Sequence, residues 1–92
     1  MRVAWTPAAA DDLERITDYL FEQNPAIAAS VVRRIYSAPD ILRQFPQSGR
    51  PGRKDGTREL VLSSLPYIIV YEVTGQTVRL LRVLHGAQIW PE

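Results

Sequence analysis

Apolar residues recur at steps of three and four from Ala9 to Phe45 and give way to β-rich runs from Thr57 onward. A chain patterned in this way segregates its helices from most of its strands, which restricts it to α+β architectures. Ala9, Leu13, Ile16 and Leu20 form the first helical stripe, with Asp11, Asp12, Glu14, Arg15 and Asp18 largely on other faces. Ile27, Val31, Ile35, Ala38, Leu42 and Phe45 form the second, which runs to Pro46. Each stripe follows a capping residue and a proline, Thr6-Pro7 and Asn24-Pro25. That pairing starts helices because proline lacks only an N–H that the first turn leaves unused, while the capping side chain satisfies another. The expectation is a hairpin of two helices. Pro39 falls inside the second stripe, where its missing donor and ring predict a kink or an early end.

Residues 46–56 (PQSGRPGRKDG) hold three glycines and two prolines among polar and basic residues, the composition of a loop. Three strands are expected after it, at residues 57–63, 66–73 and 77–85, separated by Ser64-Leu65 and Thr74-Gly75-Gln76. With a short strand at residues 2–5, the order is β-α-α-β-β-β. The predicted fold is a two-helix hairpin packed on one face of a mainly antiparallel four-stranded sheet, a single domain spanning residues 1–92. Tyr67, Ile69, Tyr71 and Val73 would share one side of the middle strand, and Ile68, Val70 and Glu72 the other. In the last strand Val78, Leu80, Arg82 and Leu84 would oppose Leu81, Val83 and His85. Both sheet faces are thus apolar, yet two helices cover only one. Unless the loop and the C-terminal tail fold over the second face, an apolar surface is left for a partner, and Val32 and Tyr36 widen the apolar arc of the second helix.

Composition excludes several kinds of chemistry. The chain has no cysteine and one histidine, so disulfides, thiolate nucleophiles and the common zinc arrangements are out. No Gly-rich phosphate loop is present, because Gly49-Arg50-Pro51-Gly52 does not run from a strand into a helix. No apolar run approaches a membrane span, and no secretory leader is visible, so the expectation is a cytoplasmic protein without metal or cofactor. The net charge of +1 conceals segregation. Residues 1–42 carry four arginines against six acids, and residues 43–92 carry seven basic residues against four acids. Arg43, Arg50, Arg53, Lys54 and Arg58 concentrate the excess, and ten of the eleven basic residues are arginine, whose planar fork suits phosphate or carboxylate.

A hydrolytic pair from Glu59 and Glu72 is disfavoured, since strand acids commonly pair with arginines. The stronger constellation is Arg58, Arg82 and His85 with the loop residues Arg50 and Arg53: guanidiniums to hold phosphate, an imidazole to move a proton, as RNA cleavage would require. Each residue also has a structural account. Arg58 would pair with an acid, Arg82 would lay its stem over the core edge, and His85 would bond to the turn at Gly86.

The ordered strings Trp5-Thr6-Pro7, Asp12-Leu13-Glu14-Arg15-Ile16, Asn24-Pro25, Gly49-Arg50-Pro51-Gly52-Arg53, Gly56-Thr57-Arg58-Glu59-Leu60, Pro66-Tyr67-Ile68-Ile69-Val70-Tyr71 and Arg82-Val83-Leu84-His85-Gly86-Ala87 resemble the RelE/ParE superfamily of bacterial toxins. The resemblance covers nearly the whole chain. It implies the toxin of a type II toxin–antitoxin pair, neutralised by a cognate antitoxin. RelE-like members cleave messenger RNA on the ribosome, and ParE-like members poison DNA gyrase. The ribonucleases place a catalytic arginine directly after the tyrosine of the middle strand, where this chain has Ile68. An isoleucine can neither stabilise phosphate charge nor move a proton, so the resemblance favours the ParE-like branch. On that reading Arg50, Arg53, Arg58, Arg82 and Trp90 contact the target, and Phe21, Val32 and Tyr36 contact the antitoxin. The alternative is a ribosome-dependent ribonuclease using Arg58, Arg82 and His85. A third possibility is a non-toxic member that only binds its antitoxin.

Overall fold

A computed structural model describes residues 1–86 and 88–91. Strand β1 (Arg2–Trp5) leads into α1 (Pro7–Gln23) and α2 (Pro25–Ser37), followed by a 3-10 segment (Ala38–Arg43). Strands β2 (Arg50–Pro51), β3 (Arg58–Val61), β4 (Tyr67–Thr74) and β5 (Thr77–His85) complete the chain. They form one sheet in the order β1-β5-β4-β3-β2, with β1 parallel to β5 and every other pair antiparallel.

The expected α+β architecture is present with one addition: the sheet has five strands rather than four. Arg50 and Pro51, assigned from their surroundings to a loop, pair with Glu59 and Arg58 as a two-residue edge strand. Glycine and proline density marks a chain reversal but does not reveal that two of its residues lie in register with a neighbour. Pro51 has no N–H to offer, which helps close this edge to further strand addition.

Helix starts follow the local chemistry. Thr6 Oγ1 accepts from the Ala9 N–H at 3.3 Å and donates to the Leu80 carbonyl at 2.6 Å, so the cap also fastens α1 to β5. Asn24 occupies the second cap position without a side-chain capping bond, leaving Pro25 as the local start signal for α2. Pro39 ends the α-helix as its chemistry requires: α2 stops at Ser37 and the tighter 3-10 segment takes over. The core lies between the helices and one sheet face, with Ala9, Ala28, Ile35, Leu42, Ile69, Tyr71, Val78 and Leu80 fully buried. Ile27 and Phe45, expected to extend the second stripe inward, are exposed.

A register shift redirects β5. Val70 pairs with Arg82 but Tyr71 with Leu80, so Leu81 is an extra residue and the alternation inverts beyond it. Val83 therefore joins Val78 and Leu80 in the core, whereas Leu84, paired with Ile68, lies on the opposite face. The second face also departs from expectation. Ile68, Val70 and Leu84 are buried within the single chain. The β2–β3 hairpin and the tail meet there, joined by an Arg53 Nη1–H to Gln88 carbonyl bond of 3.3 Å. Most exposed apolar side chains lie instead on the helices and the loop after them, including Tyr19, Phe21, Tyr36, Ile41 and Phe45, while Val61 of β3, opposite Ile68, and Ile89 of the tail are exposed on the sheet side.

Candidate functional site

Two buried carboxylates organise the regions where the candidate residues lie. Glu59, 2 % exposed, sits on β3 between Arg50 of β2 and Val70 of β4. One oxygen accepts from Arg50 Nε and Nη2 at 3.1 and 2.9 Å. The other accepts from the Arg53 backbone N–H at 3.1 Å and faces Arg53 Nε at 3.4 Å. A carboxylate this buried persists only because both oxygens are answered by charge and hydrogen bonds. The two arginines remain partly exposed, so the hairpin shows cationic groups outward while its anion is inward.

Arg58, on the same hairpin, donates through Nη1 to the carbonyls of Gly49 and Gln47 at 2.7 and 3.3 Å rather than to an acid. Tyr71 crosses to this segment from β4. Its hydroxyl donates to the Pro46 carbonyl at 2.7 Å and accepts from the Gly49 N–H at 2.9 Å. Burial raises the Tyr71 pKa above its ordinary value, opposed by the Gly49 hydrogen bond and by Arg58. Gly49 is required by this approach, because a Cβ there would stand 2.6 Å from the Tyr71 hydroxyl and 2.9 Å from the Glu59 carbonyl oxygen.

The second carboxylate is Asp12 of α1, 5 % exposed. It accepts from Arg82 Nε and Nη2 at 2.7 and 3.0 Å, from the Val83 N–H at 2.9 Å and from Arg15 at 3.0 Å. Strand β1 pairs only with residues 77–80 of β5, so the outer edge of β5 beyond Leu80 lacks a strand neighbour and Asp12 satisfies its Val83 amide. Beyond this lock lies a groove of about 490 Å³, lined by Ile16, Tyr19, Ile27, Val31, Tyr67 and His85 among others. The exposed His85 ring meets Tyr67 edge-on at 5.9 Å, and its backbone N–H approaches Gln88 Oε1 at 3.4 Å. Burial, followed by the influence of Tyr19, raises the Tyr67 pKa.

The candidate ribonuclease residues occupy three separate settings. Arg58 lies opposite Tyr71 and His85 opposite Tyr67, four positions apart on β4, about 13 Å along the strand at the usual rise. Arg82 turns to Asp12. Among the proposed target contacts, Arg50, Arg53 and Arg58 share one hairpin, Arg50 and Arg53 meeting at Glu59 and Arg58 turned to the other sheet face beside Tyr71. The structure also connects that hairpin through Gln88 to the tail carrying the half-buried Trp90, and it sets Arg82 apart. Glu72 pairs with Arg79 and Glu59 with Arg50 and Arg53, so among the described residues the two glutamates share no ion-pair partner. Among the described residues no cluster of three or more His, Cys, Asp and Glu fits a metal ion, and no helix is long and apolar enough to cross a membrane.

On the helical side, Tyr36 stacks on Trp5 with ring centroids 5.7 Å apart and planes at 14°. Both line a second groove of about 540 Å³ with Leu13, Glu14, Thr17 and Asp18 of α1. Phe21 stands one turn beyond Thr17 on that helix, and Val32 one turn before Tyr36, partly packed against the core.

Asp12 and Glu59 escaped the sequence reading as organising residues. Asp12, grouped by the sequence reading with the acids of other faces, is buried, and its spacing carried the signal: it is three positions after Ala9 and four before Ile16, on the apolar stripe itself. Glu59 carried a weaker one, as the first acid after the basic run ending at Arg58. Its burial depends on strand register, which local pattern does not specify.

Comparison with known proteins identifies the family and agrees with the fold. Residues 3–90 match the family model described as ParE toxin of type II toxin-antitoxin system, parDE. Y4kP of Sinorhizobium fredii is 46% identical over 91 residues, covering 99% of this chain and 94% of that protein. Toxin RelE2 of Caulobacter vibrioides is 35% identical over 88 residues, covering 96% and 98%. Among solved structures, one from the chromosomal ParDE toxin–antitoxin system of P. aeruginosa superimposes with a TM-score of 0.86 at 31% identity, covering 92% of this chain and 95% of that one. The chain belongs to the ParE toxin family of type II toxin–antitoxin systems, within the RelE/ParE superfamily.

Proposed function

We propose that this toxin arrests growth in the cytoplasm by ParE-like engagement of DNA gyrase, as a stoichiometric binder that performs no chemistry of its own. The observation that carries the reading is the dispersal of Arg58, Arg82 and His85: one holds loop carbonyls, one is bound to Asp12, and one stands beside Tyr67. Ile68, at the position where the ribonuclease resemblance calls for arginine, is buried. Arginines engaged by a buried carboxylate and by backbone carbonyls suit recognition better than phosphodiester cleavage. Arg50, Arg53 and Arg58 supply the electrostatic contact, with Trp90 as an apolar anchor. Arg82 contributes by holding β5 to α1. A cognate antitoxin neutralises the toxin by covering the apolar side of the helix hairpin around Phe21, Val32 and Tyr36.

The deciding experiment is a plasmid supercoiling assay with purified toxin and the host gyrase, ended by a denaturing step. Loss of supercoiling with linear DNA accumulating, prevented by preincubation with antitoxin, is the expected result. Unimpaired supercoiling by folded toxin would overturn the proposal. The similarity to RelE2 and the position of the exposed His85 in the lining of an apolar groove favour a second reading, a ribosome-dependent messenger RNA endonuclease. His85→Gln separates the two, since it removes a proton carrier from a nuclease and leaves a gyrase binder essentially intact.

A further inference from the structure

We infer that Glu59 is a positioning residue for target binding: its buried carboxylate fixes the two outward-facing arginines of the hairpin and, through Arg53, the C-terminal tail as one preorganised surface. The inference rests on the reading that this hairpin meets the toxin's target. Four donors converge on Glu59, and they come from different parts of the surface: the Arg50 guanidinium through two nitrogens, the Arg53 backbone and the Arg53 guanidinium. Arg53 then reaches onward to the Gln88 carbonyl with its Nη1. A single anion beneath the sheet surface thereby couples residues 50, 53 and 88.

The mode of attachment leaves recognition chemistry available. Arg50 faces Glu59 with its Nε and Nη2 edge, and its side chain remains 55% exposed. The remaining Nη1 edge can address a carboxylate or phosphate oxygen on the target, with the guanidinium plane already set. An unanchored surface arginine would lose rotamer freedom on binding, and anchoring by Glu59 places that loss in the folding step instead. Burial also distinguishes Glu59 from a surface ion-pair partner, because neither salt nor water displaces it easily. Tyr71 and Gly49 hold the preceding segment independently of this carboxylate, so neutralising Glu59 loosens the hairpin tip without releasing the loop that leads into it.

Glu59→Gln tests the inference, because it keeps the shape, removes the charge and turns a donor-bearing amide toward one of the existing donors. Growth arrest on induction without antitoxin, antitoxin affinity and hydrogen exchange at the Arg53 amide are measured together on the full chain. The expected result is roughly a tenfold loss of growth-arrest potency, with antitoxin affinity changed by less than about twofold. Exchange at the Arg53 amide should rise by about tenfold or more. Unchanged growth arrest despite an opened Arg53 amide would overturn the inference, as would parallel losses of arrest and antitoxin affinity, which mark a general structural role. If the glutamine variant does not fold, Glu59→Asp, which keeps the charge but withdraws it by one methylene, is held to the same criteria. Gyrase inhibition by the unaltered toxin is scored separately. Its absence would count against the gyrase reading while growth arrest still judges Glu59.

Discussion

Asp12 places an ion pair where the sequence pattern leads one to expect apolar packing. Its carboxylate replaces the missing strand partner of Val83 and binds both nitrogens of the Arg82 fork, making it a polar hinge pin between α1 and β5. Asp12→Asn would leave Arg82 partly buried with a neutral acceptor and turn an amide donor toward existing donors. The expected cost is about 3 kcal/mol, read as a lowered urea midpoint with an unchanged m-value. A loss under about 1 kcal/mol would show that α1 is held mainly by its apolar contacts. Tyr71 makes a prediction with a defined sign. Its folded pKa lies above the ordinary value of about 10, so the unfolded chain ionises first as pH rises. The stability contributed by neutral Tyr71 is therefore fully present below about pH 10 and falls away as pH climbs toward the folded pKa. Tyr71→Phe should lower stability by about 1–3 kcal/mol at neutral pH, through loss of the Pro46 and Gly49 bonds, and flatten the alkaline decline. Denaturant titrations at pH 8 and pH 10.5 would show both effects.

Elements whose identity depends on local chemistry were legible before the structure was known. Thr6-Pro7, Asn24-Pro25 and Pro39 mark the helix boundaries because caps and prolines act over a few residues. Strand partners were less legible. The two-residue strand β2, the extra residue Leu81 and the inward turn of Val83 depend on a register that no short window of sequence determines. The site divides along the same line: the arginines of the hairpin stand out by composition, whereas the burial of Glu59, the acid that holds Arg50 and Arg53, follows from what lies across the sheet. The helix hairpin supplies the prediction proper to this scale. Tyr36, although largely exposed, is held by stacking on Trp5, so it offers an ordered aromatic surface at little entropic cost. Replacing Val32 and Tyr36 together by alanine should weaken antitoxin binding by about tenfold or more in a calorimetric titration. Unchanged affinity would remove this side of the hairpin from the proposed antitoxin surface.

Charge is sorted across the whole molecule. Asp11, Glu14, Asp18 and Glu22 are exposed along α1 and enter no ion pair among the described residues, while Arg50, Arg53, Lys54 and Arg58 cluster on the β2–β3 hairpin. A near-neutral total therefore hides an uneven surface, with exposed acids concentrated on α1, Arg15, Arg33 and Arg34 exposed beside them on the helices, and basic residues in excess on the hairpin, and the two proposed partners meet different physics on it. A target contacted through guanidiniums at the rim of an interface is sensitive to screening, because the Debye length shrinks from about 14 Å at 50 mM salt to about 6 Å at 300 mM. An antitoxin contacted through Tyr36, Val32 and Phe21 relies on apolar burial, which salt in this range barely alters. Raising salt from 50 to 300 mM is accordingly expected to weaken target engagement by about tenfold and antitoxin binding by less than about twofold. The measurement is a pair of equilibrium titrations on immobilised toxin, one with gyrase and one with antitoxin, at four salt concentrations. Equal slopes for the two partners would mean that both use the same charged surface, and the assignment of target to hairpin and antitoxin to helices would then be wrong. A steep slope for gyrase alone, reduced when Arg50 is replaced by glutamine, would tie the proposed activity to the arginines that Glu59 holds in place.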